Sequence, residues 1–161
     1  MDGGRTDYDQ RIDDSMTRMR LPDRVRQAIR TMVTQYNVVN GEVVKDIFVC
    51  NERGEIQETD APVVWLFTNN VATELKGLGL NSKISVLRHN DVACLELGAQ
   101  NFNWLTANSD SGLDLTVTYS FNRSCLLQAR SSNCLSLMNV YLKYFVRCLA
   151  RSDAAGPKNL R

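Results

Sequence analysis

The sequence predicts a single α+β domain: an antiparallel sheet of five strands with helices on both faces. Three observations carry that prediction. Leu113, Leu115, Val117, Tyr119 and Phe121 alternate with Asp114, Thr116, Thr118 and Ser120, the period of a strand with one buried face. The other β-rich runs are joined by short turn clusters rather than long crossovers, which makes the pairing antiparallel. Three further stretches place apolar residues at steps of three and four, the period of a helix. In chain order the elements read helix, hairpin, helix, three strands, helix.

Residues 1–22 are polar and mix both charge signs, so they read as a disordered arm. The domain occupies 23–151, and the tail 152–161, with Ala-Ala-Gly-Pro, reads as unstructured. The first helix is capped at Asp23 and carries Val25, Ala28, Ile29, Met32, Val33 and Tyr36 at helical spacing until Asn40-Gly41 stops it. Val43 to Cys50 is a β-rich run closed by Asn51-Glu52-Arg53-Gly54, with Glu55 to Glu58 as the returning edge strand. A second helix is predicted from the cap at Thr59 or Asp60, through Pro62 in its first turn, to Gly77 or Gly79. Its stripe of Val63, Val64, Phe67, Val71 and Leu75 is widened by Trp65 and Leu66. A helix so apolar around its circumference needs two surfaces to pack against.

Lys83 to Arg88 and Val92 to Leu97 read as strands flanking a tight turn at His89-Asn90-Asp91. Phe102 and Trp104 alternate with Asn101 and Asn103 as a strand extension, and Asn108 to Gly112 is a turn cluster. Leu113 to Phe121 is the fifth strand. Cys125 to Arg130 fits either a helical turn or a loop. A final helix, capped by Ser132 or Asn133, presents Leu135, Met138, Leu142, Phe145 and Leu149 as one long apolar stripe.

With 161 residues, 43% of them hydrophobic and 23% charged, the chain has the profile of one globular domain that needs no disulfide or metal to hold its core. Nineteen Lys and Arg against eighteen Asp and Glu leave a net charge of +1, too little for a whole-molecule field that attracts nucleic acid or an anionic membrane. The apolar runs are short and interrupted, so no transmembrane segment is expected, and MDGGRTDYDQR lacks the apolar stretch of a secretory signal. The expected location is cytoplasmic, with five reduced cysteines at 50, 94, 125, 134 and 148. Cys50 and Cys94 lie in apolar runs, where a thiol acts as a small hydrophobe.

No constellation for catalysis or cofactor binding stands out. Gly77-Leu-Gly79-Leu-Asn-Ser82-Lys83 follows a helix and enters a strand, the reverse of a phosphate loop, and reads as a helix stop. The single histidine, His89, sits in a turn without a nucleophile at a telling spacing. Cys125, Cys134, Cys148 and His89 match no usual zinc spacing. The carboxylates are scattered. These observations predict no enzyme, no metal and no cofactor.

Three places resemble the roadblock light-chain family, found in dynein light chains and in the Ragulator scaffold on lysosomes. They are the hairpin Asp46-Ile-Phe-Val-Cys-Asn-Glu-Arg-Gly54-Glu-Ile, the apolar second helix ending in Leu75-Lys-Gly-Leu-Gly-Leu80, and the strand pair 83–97. The resemblance runs from Arg24 to Val146; Gly77 to Leu87 is most similar to a Ragulator scaffold subunit. The stretch 99–112 is longer than a minimal domain of that kind. The resemblance implies a non-enzymatic scaffold or adaptor that joins another roadblock-like subunit, identical or not, through the second helix and a neighbouring strand. It further implies contact with a small GTPase or a motor complex, and recruitment through such partners to the lysosomal membrane or the cytoskeleton. On this chain the joining residues are Val64, Trp65, Thr68, Val71 and Leu75 of the helix, and Ile84, Ser85, Val86 and Leu87 of the strand. The residues themselves allow a second account, in which the apolar helix is simply buried in one large core.

A different class of function rests on Arg18, Arg20, Arg24, Arg26 and Arg30, five guanidiniums in a short stretch that suit RNA or an acidic surface. Asp13, Asp14 and Asp23 dilute the stretch, and no aromatic residues interleave it, which argues for a solvated helix face instead.

Overall fold

The structure is a computed structural model that describes residues 7–52, 54–77, 82–103 and 107–146. Two helices, α1 (Asp7–Arg18) and α2 (Asp23–Asn40), precede seven strands: β1 (Asp46–Val49), β2 (Val63–Phe67), β3 (Val71–Lys76), β4 (Lys83–Arg88), β5 (Val92–Gln100), β6 (Gly112–Tyr119) and β7 (Ser124–Arg130). Helix α3 (Asn133–Val140) follows and continues as a wider, π-type turn at Tyr141–Phe145. The α+β class and antiparallel pairing are as expected. The strands form two sheets, however, one of four in the order β1-β2-β3-β4 and one of three in the order β5-β6-β7, not a single five-stranded sheet.

The largest correction concerns residues 63–76, which form the β2–β3 hairpin and not a helix. Thr68 shapes its turn: the Oγ1 accepts the backbone N–H of Asn70 at 3.2 Å and of Val71 at 3.1 Å. On one face Val64 and Leu66 stand opposite Leu75 and Thr73; on the other, Trp65 and Phe67 stand opposite Glu74 and Ala72. Both faces are covered. Tyr36 of α2 accepts a hydrogen bond from Thr73 Oγ1 at 3.1 Å on the first, while Phe67 meets Tyr144 at 4.8 Å and Phe145 at 5.8 Å on the second. Burial on both sides abolishes the period-two signal, and what remains is a continuous apolar run that periodicity alone cannot tell from a buried helix. The two packing surfaces the apolar run requires do exist, but they enclose a sheet.

Other differences follow from the same topology. Residues 55–58 form no strand; β1 pairs with β2 instead. Asn51 closes the end of β1 onto β7, donating its N–H to Gln128 O at 3.0 Å and accepting Arg130 N–H on Oδ1 at 2.9 Å. Strand β4 matches its expected position and β5 starts at Val92 as expected but runs on past Leu97 to Gln100, and the two do not pair with each other. His89–Asp91 is a 3-10 turn that carries the chain from one sheet to the other, and no tight hairpin forms there. The ambiguous segment 125–130 lies in β7.

Part of the expected disordered arm is helix α1. It buries Ile12, Ser15 and Met16, and Met19 and Leu21 follow them into the core. Helix α1 lies beside β1, the end strand of the larger sheet, and so protects that edge. Helix α2 begins one residue earlier than expected: Pro22 takes the N-cap position, with no side-chain cap, and Asp23 is the first helical residue. The helix stops at Gly41, whose φ of +67° lets its N–H cap Asn37 O at 3.1 Å. In α3, Met138 and Phe145 are buried as expected, but Leu135 and Leu142 are about half exposed. The buried face is Cys134, Leu137, Met138, Val140, Tyr144 and Phe145, because the wider turn after Val140 breaks the regular helical step. Trp104, Cys148, Leu149 and the tail 152–161 lie outside the described residues.

Candidate functional site

The nine residues expected to join a partner separate by exposure. Val64, Trp65, Thr68, Leu75 and Leu87 are buried inside the protein. Val71 and Ser85 are half-buried. Ile84 and Val86 alone are open, at 63% and 54% exposure. Strand register explains the division. Leu75 stands opposite Ile84, and Thr73 opposite Val86, so one row of side chains runs across the face that α2 covers and out to β4, where the cover ends. Tyr36, bonded to Thr73, marks that limit; beyond it Val38 and Val39 at the end of α2 are also exposed. The inner face of β4 is held differently: Arg123 of the β6–β7 turn donates to Ser85 Oγ at 2.7 Å and to Glu74 Oε1 at 3.3 Å, pinning the two sheets together.

The five arginines do not form a free cationic surface. Arg24 donates to the carbonyls of Glu58 at 2.5 Å and Asp60 at 2.6 Å, fastening the loop after β1. Arg26 donates to Leu21 O at 2.8 Å, closing the α1–α2 turn. Arg30 pairs with Asp13 of α1 at 3.3 Å, and Arg18 donates to Ser15 Oγ at 3.1 Å. Arg20 sits in that turn with φ +53°. The expectation of a solvated face therefore needs refinement, since Arg24, Arg26 and Arg30 staple α1, α2 and the neighbouring loop, while Arg18 bonds only within α1.

The most concentrated polar site was missed by the sequence reading. Asp46 opens β1 and is 4% exposed. Its carboxylate receives Arg11 Nη2 at 2.8 and 3.0 Å, Lys143 Nζ at 3.5 Å and a short hydrogen bond from the Tyr144 hydroxyl. Burial, and then the bond to Asp46, push the Tyr144 hydroxyl far above its ordinary pKa. Arg11, Ser15, Arg18, Asn139 and Lys143 surround the carboxylate in an open cleft of about 450 Å³ between α1 and α3. With Arg11, Lys143 and Tyr144 converging on it, the carboxylate locks α1, β1 and α3 to one another. One signal was present in the sequence: a carboxylate within the apolar run Val43–Cys50.

The thiols are arranged as packing. Burial pushes Cys50 up to about 12 and also raises Cys125 and Cys134. Cys94 departs from the expected packing role: on β5 its side chain falls on the outward face of the smaller sheet and is exposed. His89 is 5% exposed and its Nε2 lies 2.9 Å from Thr68 O, so it belongs to the β2–β3 turn. Among the described residues no group of three or more His, Cys, Asp or Glu is placed to hold a metal ion, and no helix is long and apolar enough to cross a membrane. In comparisons with known proteins, no family model, no curated protein and no solved structure matches the chain.

Proposed function

We propose that the protein is a non-enzymatic scaffold or adaptor module that associates with a second copy of itself through β4. The observation that carries this reading is the exposure of Ile84 and Val86 on the end strand of a sheet whose corresponding side chains are elsewhere covered by α2. Two β4 strands paired antiparallel about Ser85 would set Ile84 opposite Val86 of the partner subunit, and Val86 opposite the partner subunit's Ile84. That is a self-complementary contact of β-branched side chains, as a two-fold interface requires. Lys83 and Arg88, both exposed, then stand opposite no like charge. The join lies in the strand half of the interface that the roadblock resemblance implies. The helix half is absent, because residues 63–76 form a hairpin, so a small GTPase or motor complex as partner draws no support from the element order.

Sedimentation velocity over a micromolar concentration series tests the reading. The wild-type chain should show a concentration-dependent dimer. Val86→Glu places a carboxylate on a half-exposed position, so the fold should survive with an unchanged circular dichroism spectrum while dimerisation weakens by about tenfold or more. A wild-type monomer throughout the series, or a dimer indifferent to Val86→Glu, would overturn it.

A further inference from the structure

The smaller sheet also ends in an open strand, of a different character. β5 is nine residues long and bonds to β6 along one edge. Among the described residues no backbone hydrogen bond reaches its other edge. Ala93, Cys94, Glu96, Gly98, Ala99 and Gln100 are exposed. Leu95 and Leu97 turn inward, in register with the buried Val117 and Leu115, but are themselves only half covered. Long edges are normally guarded by charge, by proline or by a covering element. In the larger sheet α1 lies beside β1 in this way. β5 has a single charge, Glu96, which faces outward across from Thr116, and no cation sits on it among the described residues.

We infer that β5 accepts an extended peptide segment from a partner protein, added antiparallel to the sheet edge, with an apolar–Lys/Arg–apolar sequence at its centre. Backbone N–H and C=O groups of β5 supply the attachment common to strand addition, and side chains supply the choice of sequence. The two apolar residues fall on the inward face, where they complete the cover of Leu95 and Leu97. The cation between them falls on the outward face opposite Glu96, where cross-strand ion pairs form. The register shift between Val92 and Cys94 confines regular pairing to Cys94–Gln100, long enough for such a segment. A second copy of β5 is the poorer occupant. Each antiparallel register near its centre that keeps faces matched brings Glu96 directly opposite, or one step from, Glu96 of the partner subunit, with no cation to balance the pair. The inference does not depend on dimerisation through β4.

Fluorescence anisotropy with a labelled nine-residue peptide, SVTVKVTVS, on the full chain tests it. The Lys-centred peptide should bind, and its Glu-centred counterpart should bind about fivefold more weakly. Glu96→Lys, a change at an exposed position, should reverse that order, while Val86→Glu should leave both affinities unchanged. N-methylation of the peptide backbone at alternate residues should abolish binding. No binding of either peptide, or a preference unmoved by Glu96→Lys, would overturn the inference. So would a loss of self-association on Glu96→Lys without peptide binding, which would assign β5 to contact between copies.

Discussion

Replacing Phe145 by alanine tests whether α3 is seated in the core. The ring is fully buried and meets Phe67 edge-on, with centroids 5.8 Å apart and planes at 85°. Phe67 is itself fully buried and stacks on Tyr144 at 4.8 Å, so the neighbours that would have to collapse into the gap are already held. Loss of buried ring area is worth about 2–3 kcal/mol, and the cavity with the lost aromatic pair adds about 1–2. A total near 4 kcal/mol is a large share of the stability of a typical domain. In urea, with a slope of about 2 kcal/mol/M, the midpoint should fall by about 2 M. Leu142→Ala, earlier in the same turn, is the companion measurement: Leu142 is 49% exposed, and its truncation should cost below about 1 kcal/mol. If Phe145→Ala cost less than about 1 kcal/mol, or Leu142→Ala cost as much as Phe145→Ala, the stripe Leu135–Leu142 would be the buried one and the seating described for α3 would be wrong.

Asp46→Ala should cost about 2 kcal/mol by chemical denaturation, chiefly by removing the hydrogen bond that the buried Tyr144 hydroxyl donates to Asp46; Arg11 and Lys143, each about 40% exposed, regain water and contribute little. An unchanged midpoint would remove the Asp46 cluster as a lock between helices. Alkaline pH should also destabilise the fold. Burial lifts the Cys50 thiol from 9.0 up to about 12, so between those values the unfolded chain releases a proton that the folded chain keeps, and stability falls as pH rises. Tyr144, raised as well, acts in the same direction. Urea midpoints between pH 8 and about 11 should therefore fall less steeply in Cys50→Ala than in the wild type, and parallel slopes would refute the assignment to Cys50.

What the sequence made legible was local. β4 was bounded correctly at Lys83–Arg88, β6 was found through the alternation that starts at Leu113, although it ends at Tyr119 and leaves Phe121, expected on the buried face, exposed, and α2 was found through its helical spacing and Gly41. Each of these elements either shows one buried face or ends at a residue with special backbone geometry. The failures share another cause. Val63–Phe67 and Val71–Lys76 are buried on two faces, so tertiary context erased the period that would have named them; the β-branched and aromatic content of Val-Val-Trp-Leu-Phe was the remaining clue. α1 was hidden by its polar composition, although Ile12, Met16 and Met19 already stood at helical steps. The pairing of β4 with β5 was assumed from their closeness in sequence, whereas His89–Asp91 turns the chain between sheets. The surface at β4 was legible as Ile84–Leu87, but which of its side chains point outward depends on a cover that only α2 defines.

The unequal burial of the two sheets determines where association can occur. β1, β2 and β3 have both faces occupied, by α2 on one side and by the smaller sheet and α3 on the other, with α1 alongside β1, so their side chains are committed to stability. The smaller sheet has its inner face packed and its outer face in water, as the alternating burial of β6 shows. Backbone hydrogen-bonding capacity consequently remains at the four end strands, and of these β1 is flanked by α1, while β7 is tied to the end of β1 through Asn51 and packs beside α3. β4 and β5 are left, consecutive strands on either side of the His89–Asp91 corner. That corner is fixed: His89 N–H reaches Asn70 O at 3.0 Å, and Asp91 O accepts Ser120 N–H at 2.7 Å. A self-complementary edge bearing Ile84 and Val86 and an edge with a single carboxylate thus project from a single rigid turn. Their chemistry differs enough that one suits a copy of this chain and the other a basic extended segment, which would allow a dimer to present two peptide-binding edges at a set geometry.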